Sequence, residues 1–169
     1  LDDLVTHLPS QMLDNSLLVY NSHALKTNLV TPETPRIILF NQDASLILAM
    51  TQNPGSDLVS KSEDTLEIIS YDQKTGLFEA HDIAFDGKPH PFERAPAKNP
   101  SLCLGCHGSN PRPLFQDYNT WPGFYGSFSQ KGASTKGTLE HKNLENFLSK
   151  QKQMSRYKDL NLSRFVDGI

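Results

Sequence analysis

The chain has 169 residues, a formal net charge of −3 at pH 7, 21% charged and 37% hydrophobic residues. That is long enough for one domain with its own core, too moderately charged for a disordered acidic chain, and of the wrong sign for a nucleic-acid binder. No apolar run approaches the roughly 18 residues that span a membrane, and two cysteines make neither a disulfide scaffold nor a four-thiolate zinc site.

Residues 1–169 read as one domain in three stretches: a helix plus antiparallel sheet over 1–85, an irregular segment over 86–137, and C-terminal helices over 138–169. Near the start, Met12, Leu13, Leu17 and Tyr20 fall at helical spacing, which predicts a short helix with Ser10 as its N-cap. Thr31-Pro32-Glu33-Thr34-Pro35 then breaks the chain.

Four strand-like runs follow, at Arg36–Phe40, Ser45–Met50, Thr65–Tyr71 and Leu77–Phe85. Asn41-Gln42-Asp43-Ala44 joins the first two and Asp72-Gln73-Lys74-Thr75-Gly76 the last two, both with hairpin chemistry. Asn53-Pro54-Gly55-Ser56-Asp57 marks a turn between the pairs. The first two runs are almost continuously apolar, which predicts burial on both faces. In the fourth, Leu77, Glu79, His81, Ile83 and Phe85 share one face. The fold class expected is therefore α+β, an antiparallel sheet of about four strands with helices; a PAS-like arrangement is one version.

Between Asp86 and Tyr125 the texture changes, with seven of the 11 prolines in that stretch. Each proline removes a donor and restricts its predecessor, so the segment is irregular, and a long irregular stretch in a compact domain usually wraps something. Beyond Gly137, the spacing of Leu139, Leu144, Phe147 and Leu148 predicts a helix capped by Thr138 with Glu140 in its first turn. A final helical turn or tail is expected from Met154 to Val166.

Inside the proline-rich stretch lies Cys103-Leu104-Gly105-Cys106-His107. This C-x-x-C-H pattern is the attachment sequence of haem c. On a helical turn, positions i and i+3 share a face and can each form a thioether to one vinyl group of a porphyrin. The His at i+4 then reaches the iron from one axial side. Chance placement of this chain's cysteines and histidines gives the pattern only about 4 times in 10,000. Two other chemistries use such cysteines. A thioredoxin-like redox pair follows a strand in a βαβ context, and a zinc site needs two further ligands, for which there are six histidines. A disulfide across two intervening residues is strained.

On these residues the sequence resembles c-type cytochromes. The wider pattern Asn99-Pro100…Cys103-x-x-Cys106-His107-Gly108…Pro111-Arg112-Pro113…Trp121-Pro122-Gly123-x-Tyr125-Gly126 is similar to a group of uncharacterised bacterial haem-c proteins. Those too have a strand-rich region ahead of the haem site, like residues 36–85 here, so the likeness extends over about two thirds of the chain. It differs from the small all-helical cytochromes c, whose motif lies near the N-terminus. The resemblance implies one covalent haem c and export to a periplasm or an equivalent extracytoplasmic place in a bacterium. The start at Leu1 then fits a mature or trimmed chain whose signal peptide is gone.

Around the haem, Arg112 can pair with a propionate or face solvent, and Trp121 and Tyr125 can line the porphyrin edge or belong to the core. Phe115 and Phe124 suit the core. The motif makes His107 the expected proximal iron ligand. For the sixth position His81 ranks first, followed by Met154 and His90, with an open or water-bound site as the alternative. Met50 is weaker, and so are His7, His23 and His141.

No catalytic motif competes: Gly-rich phosphate loop, G-x-S-x-G and H-E-x-x-H are all missing from the sequence. The leading function is electron transfer with a redox partner protein. The second is a haem-based sensor binding a small gas. The third is a small haem enzyme such as a peroxidase, with His81 or Glu79 as its acid/base group. Whether the protein is an enzyme stays open, with a carrier or sensor favoured. The apolar fraction, counted with Gly and without Tyr, is about 40% against the usual ~45–50%. A porphyrin supplying part of the core would explain that, and removing Cys103 and Cys106 would then abolish folding as well as colour.

Overall fold

The computed structural model describes residues 2–21, 30–51, 64–85, 98–113, 123–127 and 135–163. Two short helices, α1 (Asp2–His7) and α2 (Ser10–Asp14), lead into strands β1 (Ser16–Val19), β2 (Arg36–Phe40), β3 (Leu46–Thr51), β4 (Asp64–Asp72) and β5 (Leu77–Phe85). Helices α3 (Ser101–His107) and α4 (Thr135–Gln151) follow. The protein is α+β, with one antiparallel sheet in the order β1-β2-β3-β4-β5. Consecutive strands are neighbours, so the sheet is a plain meander.

The fifth strand is β1, a correction to the single helix expected through Tyr20. The helical spacing of Met12, Leu13, Leu17 and Tyr20 is broken at Asn15. There α2 ends, and Leu17, Leu18 and Val19 extend to pair with Ile38, Ile37 and Arg36 of β2. Ser10 is not the N-cap; that position is Pro9, which offers no side-chain acceptor. Likewise α4 begins at Thr135, before the expected Thr138 cap. The Asn53–Asp57 turn lies outside the described residues.

Register sorts the side chains. Leu18, Ile37, Leu39, Leu48, Met50 and Leu66 stand on one face and are buried. Against them pack Val5, Met12, Leu144, Phe147, Tyr157, Leu160 and Leu162 from the helices and the C-terminal turns. Each such large apolar side chain contributes about 1.5–3 kcal/mol through burial. The opposite face is covered as well, since Thr51, Thr65 and Ala80 are buried there. On it Glu67 lies directly across from Asp82, a like-charge pairing that Arg36 offsets by its ion pair with Glu67.

Both sheet edges are occupied. On β1, Tyr20 N–H donates to Gly123 O at 2.8 Å and Tyr125 N–H to Leu18 O at 2.9 Å. On β5, Asn99 bonds both backbone groups of Ala80. These contacts take up some of the open ladder positions through which sheets aggregate.

Candidate functional site

Helix α3 carries the C-x-x-C-H motif and packs against β5. Pro100, at φ −61°, stands at its N-cap, where the missing N–H is no loss. Gly108 ends it at φ +78°, a left-handed conformation suited to glycine, and its N–H donates to Leu104 O at 2.9 Å. Those two residues confine the helix to seven residues. Cys103 and Cys106 are one turn apart, with His107 four positions beyond Cys103 on the same side.

Nothing in α3 is buried. Cys103 and His107 are half-buried, Cys106 is exposed, and Leu102 is 50% exposed. The cysteines are not joined by a disulfide. A short helix that presents two thiols, an imidazole and a leucine at its surface suits attachment of a flat apolar group.

The imidazole is already oriented. Its Nδ1 lies 2.7 Å from the backbone oxygen of Arg112. A carbonyl oxygen only accepts, so Nδ1 bears the hydrogen and the neutral ring keeps its lone pair on Nε2. Metal-ligating histidines are generally set this way by an outer hydrogen bond. The carbonyl is itself well placed: Pro111 is buried, and Pro113 restricts Arg112 to extended backbone. The Arg112 side chain is exposed.

These residues fit a haem c: two thiols one turn apart, one of them exposed, and an imidazole whose Nε2 keeps its lone pair. Among the described residues no three His, Cys, Asp or Glu side chains converge on a metal site of the conventional kind. Haem iron asks the protein for one or two ligands only.

The other expected residues divide. His81 sits on β5 opposite Ile68, half-buried, its Nε2 3.9 Å from Glu79 Oε2. Glu79 in turn pairs with Lys98, just ahead of the motif. The structure thus places His81 on the strand that α3 packs against. Met50 is fully buried in the core, and Met154 is packed at its margin. His141 faces Glu145 at 3.3 Å on α4. Trp121, His90, His23 and Phe115 lie outside the described residues.

Tyr125 belongs to the core, the alternative to a porphyrin-edge role. Its ring lies between Tyr20, at 4.8 Å between centroids, and Phe147, at 6.1 Å, and its hydroxyl donates to Pro32 O at 2.7 Å. Phe124 is buried beside it. Burial pushes the Tyr125 phenol well above its ordinary pKa. Tyr20 is raised too, first by burial and then by its hydrogen bond to Glu140.

Two residues escape a reading of the sequence. Glu140, expected only as a first-turn acid, is buried and accepts from Tyr20 Oη at 2.8 Å, Gly126 N at 2.8 Å and Ser127 Oγ at 2.6 Å. It ties α4 to the turn after Gly123. The second is Asn99, whose only signal is its place before Pro100 and the motif.

No family model, curated protein or solved structure matches the chain. No helix among the described residues is long and apolar enough to cross a membrane.

Proposed function

We propose that this chain carries one haem c, bound through thioethers to Cys103 and Cys106 with His107 as proximal iron ligand, and serves in electron transfer outside the cytoplasm. The observation behind this reading is the His107–Arg112 hydrogen bond, which leaves Nε2 as the donor atom on the helix that bears both thiols. Bound there, the haem supplies a one-electron couple whose potential the protein tunes through axial ligand and burial. The chain's own residues do the rest. The thiols anchor the group, His107 is held in one tautomer, and Arg112 offers an exposed guanidinium for a propionate. His81 is the candidate for the second axial side, since α3 packs against its strand.

A haem-based sensor is the second reading, favoured by the five-stranded body behind α3. A PAS-like arrangement would belong with it, though no observation favours that over the plain meander. Absorption spectra of oxidised and reduced protein, with and without CO, separate the two. Low-spin spectra indifferent to CO support the carrier. A high-spin ferrous form that takes up CO supports the sensor or a small haem enzyme, and peroxide turnover then distinguishes those.

A further inference from the structure

Asn99 makes two hydrogen bonds to one residue of the sheet. Its backbone N–H donates to Ala80 O at 2.8 Å, and its side-chain Oδ1 accepts from Ala80 N–H at 2.8 Å. It does so at φ +51°, a left-handed conformation that Asn tolerates better than most residues. Pro100 comes next, and α3 begins one residue later. Lys98, on the other side, pairs with Glu79 two residues before His81. Helix α3 buries no residue and contributes none to the core formed by the described residues. Among those residues, polar contacts at 98–99 take the place that apolar burial usually has in holding a helix to its domain.

We propose that Asn99 is the positioning residue of the haem site, an inference that rests on the reading above. Its two-point clamp on Ala80 fixes where α3, and with it the group held by Cys103, Cys106 and His107, sits relative to β5 and His81. Releasing the clamp frees α3 as a unit and leaves the core intact. The residue touches neither thiol nor imidazole; it acts through the helix it anchors.

Three variants, Asn99→Asp, Asn99→Ala and Asn99→Gly, test this. Asn99→Asp keeps the oxygen acceptor and tolerates the same backbone conformation, whereas Asn99→Ala loses the acceptor and strains the backbone. In the haem-free chain, Asn99→Ala should speed hydrogen exchange at the Ala80 amide at least about tenfold while core amides such as Leu48 keep their protection. In the haem-loaded protein, Asn99→Ala should retain covalent haem but shift the reduction potential and the sixth-ligand bands, and Asn99→Asp should restore the parent spectrum. Unchanged Ala80 exchange, or a potential and spectrum identical to the parent, overturns the proposal. So does a global loss of stability shared by Asn99→Ala and Asn99→Gly, which would place the residue in the fold and not in the site. A parent chain that takes up no haem defeats the haem reading instead, and the Ala80 exchange then still judges the clamp.

Discussion

His107 Nδ1–H donates to the carbonyl oxygen of Arg112, five residues along, at 2.7 Å. The bond runs within one local segment, so the imidazole, its tautomer and both thiols all come from residues 103–112. Arg112 contributes its backbone to this arrangement, and its side chain is exposed. Arg112→Ala should therefore leave the haem bands of the loaded protein in place. Pro111→Gly, which loosens the buried residue ahead of the carbonyl, should weaken proximal ligation. Optical spectra of the loaded variants check both: the bands of proximal ligation should weaken in Pro111→Gly and match the parent in Arg112→Ala.

Among the described residues the core is assembled from one sheet face, α1, α2, α4 and the turns after it, without α3. Whether a porphyrin supplies part of the core is tested by removing its two anchors. The Cys103→Ala/Cys106→Ala double variant should be colourless and folded, with stability within about 0.5 kcal/mol of the haem-free parent. Urea denaturation followed by far-UV circular dichroism measures it, and a chain that no longer unfolds cooperatively would restore the porphyrin to the core.

Glu140 is a buried carboxylate with three donors from two neighbouring segments. Glu140→Ala strands the Gly126 N–H and two hydroxyls, so a loss of about 3 kcal/mol is expected; Glu140→Gln, which keeps one acceptor, should lose about 1 kcal/mol. Denaturant midpoints at neutral pH give both values.

Gly123 has its carbonyl on Tyr20 N and Asn21 N, so the backbones meet closely. A Cβ there would run into the backbone carbonyl of Asn21, a clash that no rotamer change relieves. Gly123→Ala should destabilise the protein by about 2–3 kcal/mol and unpin the segment from the β1 edge. Faster amide exchange at Tyr20 would report the second effect.

Tyr20 and Tyr125 both have phenols held above the ordinary value of 10.0. In the unfolded chain they ionise near that value, while the folded protein keeps them protonated. Above about pH 10 the folded state thus binds more protons than the unfolded state, and stability falls as pH rises. Tyrosinate absorbance should show these two groups ionising only together with unfolding; smooth titration in the folded protein would contradict the placement of the rings.

Much of this architecture is legible in the residues, for identifiable reasons. β2 and β5 run as expected because β-branched and aromatic residues lie between clear turn signals, Asp72 and Gly76 above all. β1 is hidden because a five-residue helix followed almost at once by a four-residue strand mimics one helical period from Met12 to Tyr20. The run Leu17-Leu18-Val19 is the signal that reveals it. The motif is legible because its chemistry is local. Glu140 and Asn99 are not, since their roles depend on partners 120 and 19 residues away. Tyr125 looks alike in either setting, as an aromatic ring with a polar tip suits a porphyrin edge and a core equally well.

Covalent haem on α3 is tested most directly by the mass of the intact chain, produced where haem is attached to exported proteins and denatured before measurement. A mass increase of one haem is expected that survives denaturation and is absent from Cys103→Ala/Cys106→Ala. A parent chain at its bare polypeptide mass under those conditions would contradict it.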